Sequence, residues 1–489
     1  MSRASRLAVT IAGTSIALGF WADVLFHGRP LGLNVVLWTI AFTVVLALLL
    51  RLARAPLRQG RRWMLAPLVV FAAAFVWRDS TLLVAANLLA LAGAVTLGAL
   101  RRTRPVEQAA VTDYAAGAVA AGCSAAAGAL HLLQKDLDWD DVGRALRTER
   151  MSAVGRGVAL GVPLVAAFGG LFIAADAVFK SLVTDAVPSF ENPLRHLLIV
   201  LVGAWLSAGV LRDLLASREE HRLVSPAAIS EKQVRPTFGT TEVAIALGAL
   251  DALFLAFVVV QFRYLFGGHE LVAARAQLTY AQYARHGFFE LLAVSALVLL
   301  VLLAADSLLR RDGGAGARVV VILSGGLVVL VFVVMGSALE RMRLYVEAYG
   351  LTELRLYAVG VILWLGVVFL WFTATVLRGR RSLFAVGAVV SGFAATAALN
   401  VVNPDALIAR TNLERARVDV SYVAGLSDDA VPAILDELPT VRPELRRALA
   451  GELLRRSERA DDWRSFNLTR ARARALLAQH RDELVQLSR

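Results

Sequence analysis

The sequence predicts an all-α, polytopic integral membrane bundle of eleven or twelve transmembrane helices that ends in a small helical C-terminal domain. Three observations predict it. Hydrophobic residues make up 58% of the 489 residues and charged residues only 18%, against roughly 45–50% and about 25% in soluble domains. Mean hydropathy is +0.63. The apolar residues are also gathered into runs long enough to cross a bilayer, which takes about 20 residues per helix. So few polar side chains cannot cover a soluble surface of this size without large apolar patches. A soluble enzyme, a disordered chain and a disulfide-rich secreted domain are thereby excluded. One cysteine, Cys123, has no partner for a bridge within the chain.

Twelve segments have spanning character: 7–26, 31–50, 64–77, 81–100, 114–133, 157–179, 196–215, 242–262, 288–305, 318–339, 357–377 and 382–402. The first follows Arg3 and Arg6, and no small-x-small cleavage site comes after it. It reads as an uncleaved first span with a cytoplasmic N-terminus. Two segments are weak. Segment 64–77 is short and stops at Trp77-Arg78-Asp79; 114–133 is nearly all Ala and Gly, suited to a helix buried among others or to a re-entrant piece. Gly157-x-x-x-Gly161 is a small-residue packing motif. Gly267-Gly268 and Gly313-Gly314 lack a preceding strand and a following Gly-Lys-Ser, so they are turns rather than phosphate loops.

The charge pattern bears on orientation. Net charge is +12, with 51 Lys+Arg against 39 Asp+Glu, and only Lys135, Lys180 and Lys232 are lysines. Abundant Arg and Ala with little Lys suits a GC-rich bacterial genome. A basic chain often signals nucleic acid, but these arginines sit in short loops between apolar runs, where they anchor helices and set sidedness. No nucleic-acid partner is expected; membrane lipids are. If all twelve segments cross, the two sides carry 18 cations each; if 114–133 does not, the division is 26 to 10, and if 64–77 does not, 24 to 12. The positive-inside rule then favours eleven crossings of the cell membrane and an extracytoplasmic C-terminus.

The chain accordingly divides into N-terminal transmembrane helices (1–134), a transmembrane core (135–402) and a soluble helical domain (403–489). The last carries 15 Arg and 14 acidic residues and has no spanning run. Asn403-Pro404-Asp405 starts a helix, as does Ser427-Asp428-Asp429, an N-cap with acids in the first turn. Pro443-Glu444 opens another, and Asn467 caps a last one running to about Leu487. Three to five short helices are expected.

The stretch 264–294 carries Phe266-Gly267-Gly268, then Thr279-Tyr280-Ala281-x-Tyr283-Ala284-Arg285-x-Gly287-Phe288-Phe289-Glu290. A second block carries Asn403-Pro404-Asp405, Ile408-Ala409-Arg410-x-Asn412, Asp419, Tyr422 and Leu426-Ser427-x-Asp429-Ala430-Val431-Pro432. These residues resemble the bacterial membrane family DUF4173, related to DUF4153. The resemblance implies a family domain over roughly 190–440. It brings no established activity, substrate or cofactor, so no functional residue is carried over.

Ionisable residues inside spans cost about 2.5–3.5 kcal/mol at a helix centre on insertion scales, so each asks for a reason. Asp23, Asp176, Asp251, Glu290, Asp306 and Glu340 lie in or at the ends of apolar segments. Pairing with an arginine of another helix, or a place near the interface, accounts for most of them. Asp251 is the most central and doubles as a candidate proton or cation site. The richest polar patch is 263–290. On a helix His286 and Glu290 share a face, with Tyr283 one turn before and Tyr280 and Arg285 nearby. The patch suits a membrane-surface helix, with Arg285 meeting an anionic head group and the tyrosines at head-group depth. A His–carboxylate metal pair is the weaker alternative. His27 closes the first hairpin as an interface residue. No catalytic residue, cofactor site or metal ligand is assigned. Three functions remain open: a non-enzymatic sensor or scaffold acting through the C-terminal domain, a transporter, and a membrane enzyme acting on a lipid-linked substrate. Neither a protein partner nor a small-molecule substrate can be named from the sequence.

Overall fold

The computed structural model describes residues 3–53, 65–100, 111–137, 139, 193–215, 238–266, 288–310, 315–415, 418–457 and 462–488. Segment 157–179 and most of the 263–290 patch, including Tyr280, Tyr283, Arg285 and His286, lie outside the described residues.

The protein is all-α. The helices before the C-terminal segment are α1 (Arg3–Phe26), α2 (Leu33–Leu52), α3 (Leu65–Trp77), α4 (Thr81–Leu100), α5 (Val111–His131), α6 (Pro193–Leu215), α7 (Thr240–Phe266), α8 (Phe288–Leu308), α9 (Ala315–Tyr349), α10 (Glu353–Thr375) and α11 (Ser382–Val402). Six short ones follow: α12 (Pro404–Leu413), α13 (Val420–Gly425), α14 (Val431–Glu437), α15 (Pro443–Ser457), α16 (Leu468–Gln479) and α17 (Arg481–Ser488). Among the described residues, nine helices are long and apolar enough to span a membrane: α1, α2 and α5 to α11. The 13-residue α3 is about 20 Å long at 1.5 Å per residue, short of a hydrocarbon core of about 30 Å.

Three expectations are corrected. The span expected at 318–339 continues to Tyr349, because Glu340, Arg343 and Glu347 pair along the helix surface and carry it on. The last C-terminal helix is two, α16 and α17, divided at His480. The six short helices exceed the three to five expected, chiefly because α13 is six residues long and has no periodic apolar signal; its N-cap is Asp419, which accepts from the Tyr422 amide.

The chain divides into two compact units. In unit 1 (residues 1–63, 117–225 and 462–465) α1 and α6 pack face to face through small residues. A Cβ on Gly203 would lie 3.1 Å from Cβ of Ala22, and one on Gly128 would lie 2.7 Å from Cα of Gly209, so α5 also touches α6 almost backbone to backbone. The turn Leu132–Asp136 ends α5, and Asp136 binds the buried Arg212 of α6 at 2.5 Å.

Unit 2 (residues 64–116, 226–461 and 466–489) has two cores. Helices α7 to α10 enclose one with large side chains, among them Leu247, Leu302, Val331, Ile362, Phe369 and Phe372. The other lies within α12 to α17, around Ile408, Val423, Ile434, Leu449, Leu453 and Leu477. Outward-facing rows such as Ile245, Ile322, Leu363 and Leu370 are exposed.

Candidate functional site

A helix leaves its first four N–H and last four C=O groups without intrahelical partners. In unit 2 the ends of the apolar helices find those partners in the C-terminal segment. At the start of α4, Oδ2 of Asp429 accepts the amides of Asp79 (2.7 Å) and Ser80 (2.9 Å), so a residue distant in the chain does the work of an N-cap. At the end of α3, Nδ2 of Asn467 donates to the carbonyls of Phe75 and Arg78, both at 2.9 Å, and the Thr469 hydroxyl donates to that of Trp77 at 2.6 Å. Arg415 donates to the carbonyls of Val346 and Glu347 at the end of α9, and the Glu353 amide at the start of α10 donates to the Tyr422 hydroxyl. Asn412 bonds both ways to the backbone of Leu351.

Charges thread the same place. Arg78 is 11% exposed; it donates to the carbonyl of Asn400 at the end of α11 (2.6 Å) and lies 3.3 Å from Oδ1 of Asp429, itself 1% exposed. Arg470 meets Asp79 at 2.5 Å. Asp405 accepts both the amide (3.1 Å) and the hydroxyl (2.5 Å) of Ser427. Asn403, the only described non-glycine residue with positive φ (56°), caps α12 through the Ala406 amide and donates to the carbonyl of Asp429. Below this layer, the buried amides of Asn87 on α4 and Asn400 on α11 bond reciprocally at 3.1 and 2.8 Å.

The carboxylates sit close together and out of water. Burial pushes Asp79 up to about 6; the Arg470 guanidinium opposes the shift, and Asp428 and Asp429 add to it. Burial likewise raises Asp405, against the hydrogen bonds from Ser427, and it raises Tyr422.

The intramembrane acids fare differently. Asp306 pairs with Arg381, from the start of α11, and Glu340 with Arg343 on its own helix. Asp23, expected to pair with an arginine or to lie near the interface, meets two histidines, His27 and His196. Glu290 is exposed in the first turn of α8. Asp251 is half-buried and faces α9: a Cβ on Gly326 would lie 3.7 Å from its Oδ2, and Oδ1 is buried with no hydrogen bond among the described residues. Asp251 and Glu290 are the described members of the polar set singled out in the sequence.

The cap residues escaped sequence reading as a group. Trp77-Arg78-Asp79 is visible only as the end of a weak segment and Asn467 only as a local helix start; Asn403, Asp405, Asn412, Tyr422, Ser427 and Asp429 stand in the block that resembles DUF4173, which does not say what they bond. Their second bonds, to residues between 22 and 392 positions away, leave no local trace.

Exposed apolar rows along helices of spanning length, closed at one end by a polar layer, define a multi-pass α-helical membrane protein. Residues 65–437 match the family model described as Domain of unknown function (DUF4153), and the chain belongs to that family. The match runs from the first residue of α3 to the last of α14. No curated protein and no solved structure matches the chain.

Proposed function

We propose that this DUF4153 member is a non-enzymatic membrane protein that senses or scaffolds through its C-terminal domain, 403–489, and that the domain responds to the bundle through the helix ends it caps. The observation that carries this reading is the cap layer: five helix ends are completed by side chains or by arginine from elsewhere in the chain. A helix that shifts along its axis must break those bonds, so motion in the bundle is felt in the domain. Amide hydrogen exchange on the full chain in lipid nanodiscs tests this. Arg78→Gln, in the bundle, should speed exchange across 427–430. Exchange unchanged there would refute coupling.

We also infer a bacterial host, a place in the cell membrane, lipid partners along the exposed apolar rows, and membership of the DUF4173 branch. The last rests on Phe266-Gly267-Gly268 and the 279–290 pattern. Eleven crossings, with the N-terminus inside and the C-terminal domain outside, agree with a cation division of 26 to 10 if 114–133 does not cross and of 24 to 12 if the short 64–77 does not. A reporter active only in the cytoplasm, fused after Arg489, should be silent; an active fusion would overturn the orientation.

A transporter is the second reading, favoured by Asp251, whose inner carboxylate oxygen has no hydrogen-bond partner among the described residues, on a helix facing Gly326. It requires a proton or cation flux in reconstituted vesicles that Asp251→Asn abolishes without lowering the melting temperature. Equal flux in both proteins, or none in either, would end it.

A further inference from the structure

Unit 1 holds a cluster that the reading above does not use. Asp23 and His27 stand one turn apart at the end of α1, and His196 lies in the first turn of α6. Nδ1 of His196 is 2.7 Å from Oδ2 of Asp23, and Nδ1 of His27 is 3.5 Å from its Oδ1. The two imidazoles are stacked, with centroids 3.5 Å apart and planes 2° from parallel. One ligand atom from each of the three residues falls within 4.8 Å of the other two.

Three features separate this cluster from an ordinary surface ion pair. The side chains are only 16–25% exposed. Two of the converging atoms, Oδ1 of Asp23 and Nδ1 of His27, are buried without a hydrogen bond among the described residues, which is costly unless something else binds them. The nearest cation in sequence, Arg29, is held by Asp462 at 3.0 Å, and Asp462 is shared with Arg464, so Asp23 is left to the histidines. Close packing fixes the helices that carry them. A Cβ on Gly19 would strike the carbonyl of Val200 and lie 2.9 Å from Ala204, and Gly203 abuts Ala22 one residue before Asp23. A site built on two locked helices is preorganised.

We propose that Asp23, His27 and His196 bind a divalent transition-metal ion of the zinc type. Two imidazole nitrogens and one carboxylate oxygen are borderline donors that suit such ions and not calcium or magnesium. Ligand atoms around a tetrahedral zinc at bond lengths of about 2.0–2.1 Å lie about 3.3 Å apart, within the spread found here. Three protein ligands leave a fourth position for water or an exchangeable ligand. The site joins α1 to α6, and α1 lies outside the DUF4153 match while His196 lies inside it, so this is a property of the chain rather than of the family domain alone. The proposal stands whether or not the C-terminal domain is a sensor.

The test uses the full chain in detergent, purified without a polyhistidine tag and stripped with a chelator. Zn2+ alone is titrated against a chromogenic competitor, and Co2+ alone is followed by its visible d–d absorption. One equivalent should bind, with the intensity of a four-coordinate ion. His27→Ala and His196→Ala should each weaken binding by at least about tenfold, on the scale of losses at metal sites. Asp23→Asn preserves shape and serves if the alanine variants do not fold; it too should weaken binding. His480→Ala, in unit 2, should bind as the parent does. No stoichiometric binding by the parent, or equal binding by the parent and all three site variants, would overturn the proposal.

Discussion

The two units are held together by different physics. In unit 1 helices approach through glycine and alanine: Gly19 against Ala204, Gly203 against Ala22, Gly128 against Gly209. Those close approaches add dispersion between backbones to a cluster of larger side chains that includes Leu18, Leu49, Leu132 and Leu211. Unit 2 instead surrounds Phe369, Phe372 and Ile362 with large neighbours and closes one end with a layer of buried charges and amides. Small-residue contacts are distributed, so one substitution shifts a helix by a fraction of an ångström. The polar layer is concentrated, so the loss of one member leaves others buried and unsatisfied. The difference predicts how unevenly substitutions will hurt.

The largest effect is expected in unit 2. Asp429→Ala removes the cap of α4 and leaves Arg78 buried without its carboxylate, which should cost about 3–5 kcal/mol. Chemical unfolding in mild detergent, followed by circular dichroism, measures it. Gly209→Ala is the matched change in unit 1. Its Cβ meets the carbonyl of Ser124 and lies 3.0 Å from that of Ala125; an overpacked helix contact should cost about 1–3 kcal/mol. If Gly209→Ala proves the worse of the two, the contrast between the units is wrong.

Between these lies a pH effect confined to unit 2. Asp79 has a folded pKa of about 6, above its ordinary 3.8, so between those values the folded state holds the proton more tightly than the unfolded one. Its contribution is therefore fully present below about pH 4 and is lost as pH rises through about 6. At about 1.4 kcal/mol per pKa unit, reduced for a side chain 21% exposed, the swing should be about 2–3 kcal/mol. Asp79→Asn should flatten the slope of stability against pH between about 4 and 6. A slope unchanged by that substitution would show that other groups set it.

Much of the fold was legible in the sequence, and the reason is the solvent. A bilayer demands continuous apolar runs, so the segments at 81–100 and 382–402 coincide with α4 and α11, and most others agree to within a few residues. Capping chemistry is equally local: Asn403, Ser427 and Asn467 each accept an amide within three residues, and each starts a helix as expected. The end of α9 was less legible, since its last turns are charged and are held by side-chain pairs rather than by hydropathy.

What only the tertiary structure decided is who meets whom. Asp23-x-x-x-His27 is written in the sequence as a helical pair, but nothing there points to His196, 173 residues from Asp23. Asn87 and Asn400 pair across 313 residues, and Asp429 caps a helix 349 residues before it. Periodicity and propensity act over a turn or two of helix and specify where each helix begins and which face is apolar. The choice of partner for a buried carboxylate is settled instead by the cost of leaving it unsatisfied in a low-dielectric interior, a cost that exists only once the helices have been brought together.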